Sequence, residues 1–281
     1  MPLPTLTVPL RGRGRPRTQS PEIRRTVLST DWHVPQQDPA AFGSLLNFIG
    51  DIRPHYHIIL GDILDLPSLS TFLKDPALEG RTEEAIETAN AMLDQLHAAS
   101  PTTITKVIFG NHDYRLTKAL WMTPEIMPFV TKSKQPQQLL ADVLSFEDRQ
   151  IDWYDYREVY DHHGFALTHG EAAGLSSAKK ELETHGVSGA SGHVHATRYW
   201  EHRGRNGVTQ WWSLGGIPSR DVSYRPNNGW IPSIALLEQV EGTPCPSNPS
   251  GIFTLHPLSI IKGQFLFGGV LYSQDGRFEA V

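Results

Sequence analysis

Five short segments of the sequence carry side chains that can bind metal ions, and each one follows an apolar run. The segments are Asp31-Trp32-His33, Gly61-Asp62, Gly110-Asn111-His112-Asp113, Thr168-His169-Gly170 and Gly192-His193-Val194-His195. Alternate side chains of extended backbone point the same way, so both ends of the first segment can face one pocket. Glycines let the backbone approach where a larger side chain would not fit. The pattern predicts one site, built where several strands end.

The predicted ligand atoms are oxygen and imidazole nitrogen, without sulfur. Cys245 is the only cysteine, so a thiolate cluster is excluded, and the ligand types suit Mn, Fe, Zn or Co. The ligands are too many for one ion, and a carboxylate such as Asp62 can bridge two ions about 3.5 to 4 Å apart. Such a pair holds a hydroxide at neutral pH and neutralises the charge that grows on a phosphoryl group. We therefore expect two divalent ions, Mn²⁺ foremost, and hydrolysis of phosphate esters.

The order of the five segments resembles that of the motifs of the calcineurin-like metallophosphoesterase family, which are D-x-H, G-D, G-N-H-[DE], a lone H and G-H-x-H. The sequence has them as DWH, GD, GNHD, THG and GHVH. The resemblance covers about residues 26 to 240, and the motif surroundings are similar to those of phage and prophage members. It implies a first ion held by Asp31, His33, Asp62 and His195. It implies a second ion held by Asp62, Asn111, His169 and His193.

The third motif and the residues after it supply candidates for the chemical step. The family resemblance implies that His112 is the catalytic imidazole and that Asp113 orients it. Arg115, two residues past the motif, could reach a substrate phosphate or be an ordinary surface arginine. Asp65 would extend the second motif to G-D-x-x-D, but an acid after a strand is commonly a helix cap, so we leave it out of the site.

Hydrophobic periodicity predicts alternating strands and helices up to His195 and antiparallel strands beyond it. The first group of predicted strands covers residues 26–30, 57–60, 105–109, 164–168 and 186–190. Predicted helices cover 41–52, 82–99, 114–121, 137–146 and 176–184, and later strands cover 197–202, 208–214 and 234–240. Trp211 and Trp212 are expected to pack in the core rather than to stack on bases. The fold class is α/β, and the resemblance implies a mixed, two-sheet β sandwich flanked by helices.

The ends of the chain differ in character from its middle. Residues 1–24 form a predicted flexible basic arm, 25–240 the metallophosphoesterase domain, and 241–281 a C-terminal extension, expected to be a β-hairpin packed on the same domain. The segment from Arg11 to Arg25 contains six arginines and one acidic residue, Glu22. Within it, the sequence RGRGRPR resembles an AT-hook. Narrow minor grooves attract arginine, so the arm is a candidate DNA contact, with a solvated tail as the alternative.

Composition limits the class of protein. In 281 residues, 39% are hydrophobic and 20% are charged, which indicates a soluble globular chain rather than a disordered one. The apolar runs are too short for a membrane span, and no signal peptide is expected. A lone cysteine excludes an internal disulfide, so a reducing cytoplasm is the expected location. The serine-hydrolase elbow and the P-loop are absent from the sequence.

The substrate is expected to be a phosphate ester, and a diester or nucleic acid is favoured over a monoester. The basic arm favours this choice, as does the complete GNHD and GHVH set, which the resemblance links to nucleases and cyclic-nucleotide phosphodiesterases. A phosphomonoesterase with the same metal site is the first alternative. A DNA-binding protein with a vestigial metal site is the second, although no ligand of the predicted set is lost.

Overall fold

The computed structural model describes residues 21–70, 80–126, 135–204, 207–219, 229–243 and 248–279. Its larger sheet contains β1 (Ile23–Ser29), β2 (Tyr56–Ile59), β3 (Ile104–Ile108), β4 (Asp152–Tyr154), β10 (Ser233–Val240) and β11 (Phe253–Ser259). A second sheet contains β5 (Tyr160–His162), β6 (Phe165–Leu167), β7 (Gly189–Ser191), β8 (Arg198–Gly204) and β9 (Gly207–Ser213). A small third sheet contains β12 (Phe265–Phe267), β13 (Val270–Ser273) and β14 (Gly276–Glu279).

The order of strands in the larger sheet is β11-β10-β1-β2-β3-β4, and in the second sheet it is β5-β6-β7-β9-β8. Strands β1 to β4 are parallel, whereas β10 pairs antiparallel with both β1 and β11. In the second sheet β6, β7 and β9 are parallel, and the outer strands β5 and β8 are antiparallel to their neighbours. Parallel strands thus end at one edge of each sheet, as the sequence predicts.

The helices are α1 (Pro39–Ile52), α2 (Thr82–Ala99), α3 (Tyr114–Met122), α4 (Gln138–Val143) and α5 (Ser177–His185), with 3-10 turns at Pro67–Leu69 and Pro124–Ile126. Helix α1 begins where the Asp38 carboxylate accepts the N–H groups of Ala40 and Ala41, with Pro39 in the first turn. It ends at Arg53, whose backbone is left-handed. Within the described ranges no helix is both long and apolar enough to cross a membrane.

Adjacent residues of β1 point into two different hydrophobic cores. Leu28 packs between the two sheets with Phe165 and Trp212, whereas Val27 packs on the opposite face with Phe48 of α1. Helix α5 covers the outer face of the second sheet through a separate small cluster that includes Trp211. Because both faces of the larger sheet are covered, its strands are apolar on both sides. The layers are helix, sheet, sheet and helix, which confirms the predicted sandwich and the core positions of Trp211 and Trp212.

The structure moves one predicted boundary and adds strands to the C-terminal extension. Ile23 and Arg24, assigned to the arm, belong to β1, where Arg24 pairs with Gln239 in the sheet; residues 1–20 lie outside the described ranges. The tail forms more than a hairpin. Strand β11 joins the larger sheet beside β10, and β12 to β14 form a three-stranded sheet against α1, where the Phe48 ring meets that of Tyr272 at 5.0 Å.

Candidate metal centre

The predicted ligands lie in five turns, at the carboxyl ends of β1, β2 and β3 in one sheet and of β6 and β7 in the other. The turns hold each other in place through backbone hydrogen bonds. The Asp31 N–H donates to the carbonyl of Gly61 at 2.9 Å, and the Gly192 N–H donates to the carbonyl of His169 at 2.8 Å. The two sheets are joined where the His193 N–H donates to Asp31 Oδ2 at 3.0 Å. All seven predicted ligands therefore converge on one edge of the sandwich.

Asp31, His33 and His195 form one group of potential ligands. Asp31 Oδ1 lies 3.0 Å from His195 Nε2 and 3.6 Å from His33 Nε2. The two Nε2 atoms lie 3.0 Å apart. One carboxylate oxygen and two imidazole nitrogens thus face a common point, and their atoms are close enough to bind one cation.

A second group is formed by Asp62, Asn111, His169 and His193. Asn111 Oδ1 lies 3.0 Å from His169 Nε2 and 2.9 Å from His193 Nδ1, and Asp62 Oδ2 lies 3.4 Å from His169 Nε2. His169 Nδ1 donates to the carbonyl of Leu60 at 2.7 Å. That hydrogen bond fixes the ring and leaves Nε2 as the lone-pair donor toward the site.

Asp62 belongs to the second group and also lies close to the first. Its Oδ1 accepts the His112 N–H at 2.8 Å, while its Oδ2 lies 3.7 Å from His33 Nε2 in the first group. Both Asp62 Oδ2 and Asp31 Oδ1 are buried without a hydrogen-bond partner in the described part of the chain. A buried carboxylate oxygen without a partner costs several kcal/mol in general terms, about 2 to 7 for a neutral polar group and more for a charge. The donor atoms present therefore fit divalent cations, and Asp62 has the position of a bridge.

Five of the seven predicted ligands have left-handed backbone. The φ angles are 49° at Asp31, 51° at His33, 52° at Asp62, 71° at His193 and 53° at His195. Asp and His enter this region more readily than most residues, yet each such position costs about 1 to 3 kcal/mol and persists only where the surroundings impose it. The strain is concentrated where the side chains converge, as is common at functional sites.

Burial and charge shift the pKa values of these groups in opposite directions. Burial lowers the pKa of His193 and of His195, which favours the neutral imidazole that binds a metal. Burial also disfavours a charged His33, but the adjacent Asp31 and Asp65 carboxylates outweigh it and hold the pKa of His33 well above its usual value. Burial would raise the pKa of Asp31, yet the adjacent His195 and His33 keep that pKa well below its usual range.

His112 stands beside the first group, and Asp65 orients its ring. His112 Nδ1 lies 2.6 Å from Asp65 Oδ1, and the same oxygen lies 3.1 Å from His33 Nδ1. Arg115 donates to the carbonyl of Asp65 at 2.6 Å, and its Nη2 lies 3.1 Å from His112 Nε2. The guanidinium is thus next to His112 rather than free on the surface, and its contact with substrate stays a prediction.

Asp113 does not have the orienting role expected from the sequence. Its carboxylate accepts the N–H groups of Gly110 at 2.9 Å, Leu64 at 3.1 Å and Ile63 at 3.3 Å. Asp113 immediately precedes α3, and its side chain points to the turn after β2 and ties that turn to the third motif. The expectation that Asp113 orients His112 is wrong, and so is the omission of Asp65. The G-D-x-x-D spacing was the signal that could have identified Asp65.

Comparison with known proteins defines the class of this fold and site. The calcineurin-like phosphoesterase family model matches residues 24–231. The chain therefore belongs to the calcineurin-like phosphoesterase family, a family of divalent-metal-dependent hydrolases, and its His and Asp side chains form groups that could hold metal ions.

The individual relatives have low sequence identity to this chain. The Gene 54 protein of Mycobacterium phage L5 is 27% identical over 188 residues, which cover 61% of this chain and 69% of that protein. The Gene 54 protein of Mycobacterium phage D29 is 24% identical over 231 residues, or 78% of this chain and 84% of that protein. Among solved structures, Vps29 of Chaetomium thermophilum aligns with 89% of this chain and 99% of its own at 14% identity, with a TM-score of 0.43.

Proposed function

We propose that this chain is a binuclear phosphoesterase that prefers phosphodiesters. The observation that carries the proposal is a pair of buried carboxylate oxygens, Asp31 Oδ1 and Asp62 Oδ2, which accept no hydrogen bond from any residue that the structure describes. Asp31 Oδ1 lies close to imidazole nitrogens of His195 and His33. Asp62 Oδ2 lies close to His169 and to His33, so it reaches both sets of predicted ligands. Mn²⁺ is the ion we favour for both positions, with Fe, Zn and Co as alternatives, because the donors are oxygen and imidazole.

The first ion would be held by Asp31, His33, Asp62 and His195, and the second by Asp62, Asn111, His169 and His193. Such ions, when bound, supply Lewis-acid stabilisation of a phosphoryl group and activate water. The protein contributes the bridge and the fixed ring orientations. His169, for example, is locked by its bond to Leu60, so its lone pair keeps one direction.

His112 is the proposed general acid. Its Nδ1 is engaged by the Asp65 carboxylate, so its Nε2 is the atom left to protonate the leaving oxygen. Arg115 Nη2 lies beside Nε2. In the proposal this guanidinium turns to a phosphate oxygen of the substrate, because guanidinium groups pair strongly with phosphates.

Preference for a diester is supported by the motif set and by the arginines of the arm between Arg11 and Arg17. The test is hydrolysis of p-nitrophenyl phosphate, bis-p-nitrophenyl phosphate, cyclic nucleotides and single- and double-stranded DNA by the Mn-loaded protein. The proposal expects a higher kcat/KM for diesters. A higher value for the monoester would favour the phosphomonoesterase, and DNA binding without any hydrolysis would favour the vestigial site.

The binuclear centre is tested by metal content. The purified protein should hold about two divalent ions per chain, lose activity to a chelator and regain it with Mn²⁺. Asp62→Asn should lose both ions, because the proposed bridge serves both. The matched control is Asp51→Asn on α1, since the Asp51 carboxylate contacts Tyr272 and Arg277 away from the site. Full activity at zero metal, or unchanged metal content in Asp62→Asn, would contradict the proposal.

A further inference from the structure

A row of aromatic rings leads from the metal centre to the surface. The ring of Tyr156 lies 6.2 Å from that of the predicted ligand His169, and Tyr114 lies 5.4 Å from Tyr156. Trp121 follows at 5.8 Å from Tyr114, with the two rings nearly perpendicular. Trp121 is 51% exposed. The row therefore begins at the site and ends in solvent.

Helix α3 carries both this row and a row of cations. Tyr114 and Trp121 are seven residues apart, so they lie on one face of the helix. Arg115 and Lys118 are three residues apart and form the adjacent row. The helix contains no acidic residue, and Lys118 forms no ion pair with the residues that the structure describes. Its basic row begins at Arg115, which touches His112.

Trp121 and Trp200 are the two exposed tryptophans among the residues that the structure describes. Trp32, Trp211, Trp212 and Trp230 are buried, and Trp153 is half-buried. Trp200 on β8 is 44% exposed, and the Lys179 ammonium lies 5.4 Å from its ring. Trp200 thus has the same chemistry as Trp121 but lies on another element, the edge strand of the second sheet.

We propose that α3 binds a single strand of nucleic acid and guides it to the metal centre. A base stacks on the exposed ring of Trp121, which Tyr114 supports, and phosphates pair with Lys118 and Arg115. Grooves for single strands combine aromatic platforms with cations in this way. The inference rests on the proposed phosphodiesterase function and specifies its substrate class.

Binding is measured by fluorescence anisotropy of a labelled phosphorothioate oligothymidylate, whose linkages resist hydrolysis, with metal-loaded protein. Trp121→Ala should weaken binding roughly five- to a hundredfold, the range for loss of one stacked base. Trp121→Phe should retain most of the affinity, because it keeps a ring. Lys118→Gln should lower the slope of log affinity against log salt by about 0.7, the value for one phosphate contact with a single strand.

The matched control is the double variant Trp200→Ala, Lys179→Gln, which removes an exposed tryptophan and its lysine elsewhere. It should bind the oligonucleotide as the wild type does. Equal losses in the control and the α3 variants would overturn the proposal, and so would no binding by the wild type. Hydrolysis of bis-p-nitrophenyl phosphate by the wild type is measured separately. If that hydrolysis is absent while α3-dependent binding is present, the proposed enzyme fails and the strand site stands.

Discussion

Asp65 contacts two imidazoles that have different tasks. Its Oδ1 lies 2.6 Å from Nδ1 of the proposed acid His112 and 3.1 Å from Nδ1 of the predicted ligand His33. Burial would raise the pKa of Asp65, but hydrogen bonds with His112 and His33 outweigh it and lower that pKa. Asp65 therefore stays a carboxylate and fixes both rings with their Nε2 atoms toward the site.

The role of His112 is separable from metal binding. His112→Asn should reduce kcat by about 10² to 10⁴, the usual worth of general acid–base assistance, with both ions retained. The loss should shrink for esters with good leaving groups, because a stable leaving anion needs little protonation. A variant that keeps its ions and cleaves a poor-leaving-group ester at the wild-type rate would show that His112 is not the acid. Metal content and kcat for the two ester types are the measurements.

Asp65→Asn should mainly affect activity, whereas Asp113→Asn should mainly affect stability. Asp65→Asn should lower activity about 10- to 100-fold, as expected when a residue that orients a ligand is lost, and should alter the pH profile of kcat. Asp113→Asn should mainly lower Tm, because an amide brings a donor among three backbone N–H groups, at a cost of about 1 to 3 kcal/mol. Parallel thermal unfolding and pH–rate profiles test the pair. The reverse pattern would return the orienting role to Asp113.

At the scale of elements, the turns after the strands are packed too tightly for larger residues. A Cβ on Gly192 would lie 2.0 Å from Thr30 Oγ1 and 2.5 Å from Asp31 Oδ2, both in the turn after β1. Since Gly192 precedes two predicted ligands, the close approach of the turns after β1 and β7 sets the distance between Asp31 and His193. The glycine is thus required by the contact between the two sheets.

Gly192→Ala should push the two turns apart. We expect a loss of about 1 to 3 kcal/mol of stability, typical of overpacking, and a fall in metal content larger than the fall in stability explains. Gly229→Ala is the control, because a Cβ there would meet no atom within 4 Å. Thermal unfolding and metal analysis on both variants decide the matter. An unchanged metal content in Gly192→Ala would show that the turns can separate without cost to the site.

Strand β2 carries a buried histidine that makes stability depend on pH. His57 Nε2 lies 2.8 Å from Ser29 Oγ, its Nδ1 has no partner in the described ranges, and burial lowers its pKa to about 3. In the unfolded chain its pKa is about 6.5. Between these values the unfolded state binds more protons, so the contribution of His57 is complete above about pH 6.5 and is lost as the pH falls.

His57→Leu should therefore flatten the pH dependence of unfolding. The difference between the wild type and the variant should change by about 2 kcal/mol from about pH 7 to about pH 5, as linkage gives for one such group. Urea unfolding at the two pH values measures it. Ile58→Val, at the next position of β2, is a control that lowers stability by about 0.5 to 1.5 kcal/mol without removing a titrating group. Parallel curves for the wild type and His57→Leu would contradict the prediction.

At the scale of the whole molecule, strand β1 limits how many arginines of the basic arm are available to contact DNA. Arg24 forms an ion pair with Glu241, and Arg25 Nε lies 3.1 Å from Glu238 Oε1. These two arginines are thus already partnered by β10 and the residue after it. We therefore propose that DNA contact by the arm depends on the four arginines between Arg11 and Arg17.

Removal of residues 1–20 tests this proposal. Loss of four phosphate contacts should reduce the salt slope for duplex DNA by about 3.6, at about 0.9 per contact, and weaken binding at low salt. Hydrolysis of bis-p-nitrophenyl phosphate is followed in the same preparations as a check on the catalytic domain. If the shortened chain binds DNA with the wild-type affinity and salt slope, the arm is a solvated tail.

Although it missed the short strands β4 and β5, the sequence by itself determined the strand-end positions of the seven predicted ligands and the order of strands and helices from β1 to α4 and from β6 to β10. It could do so because side-chain alternation and apolar periodicity are local properties, and because parallel strands end at one edge of a sheet. The two-sheet sandwich was predicted from the family resemblance. Boundaries were close where the pattern was strong, as in α2, and poorer at β7, which is a three-residue strand.

Only the tertiary structure decided which side chains meet. Asp65 and Asp113 are both acids near a motif, and the fold alone turns the first toward His112 and the second toward the backbone. Likewise, Trp211 and Trp121 are the same type of residue, yet Trp211 is buried under α5 and Trp121 is exposed at the end of α3. The residues that decide these outcomes are far apart in the chain, and local periodicity contains no information about contacts made across the sandwich.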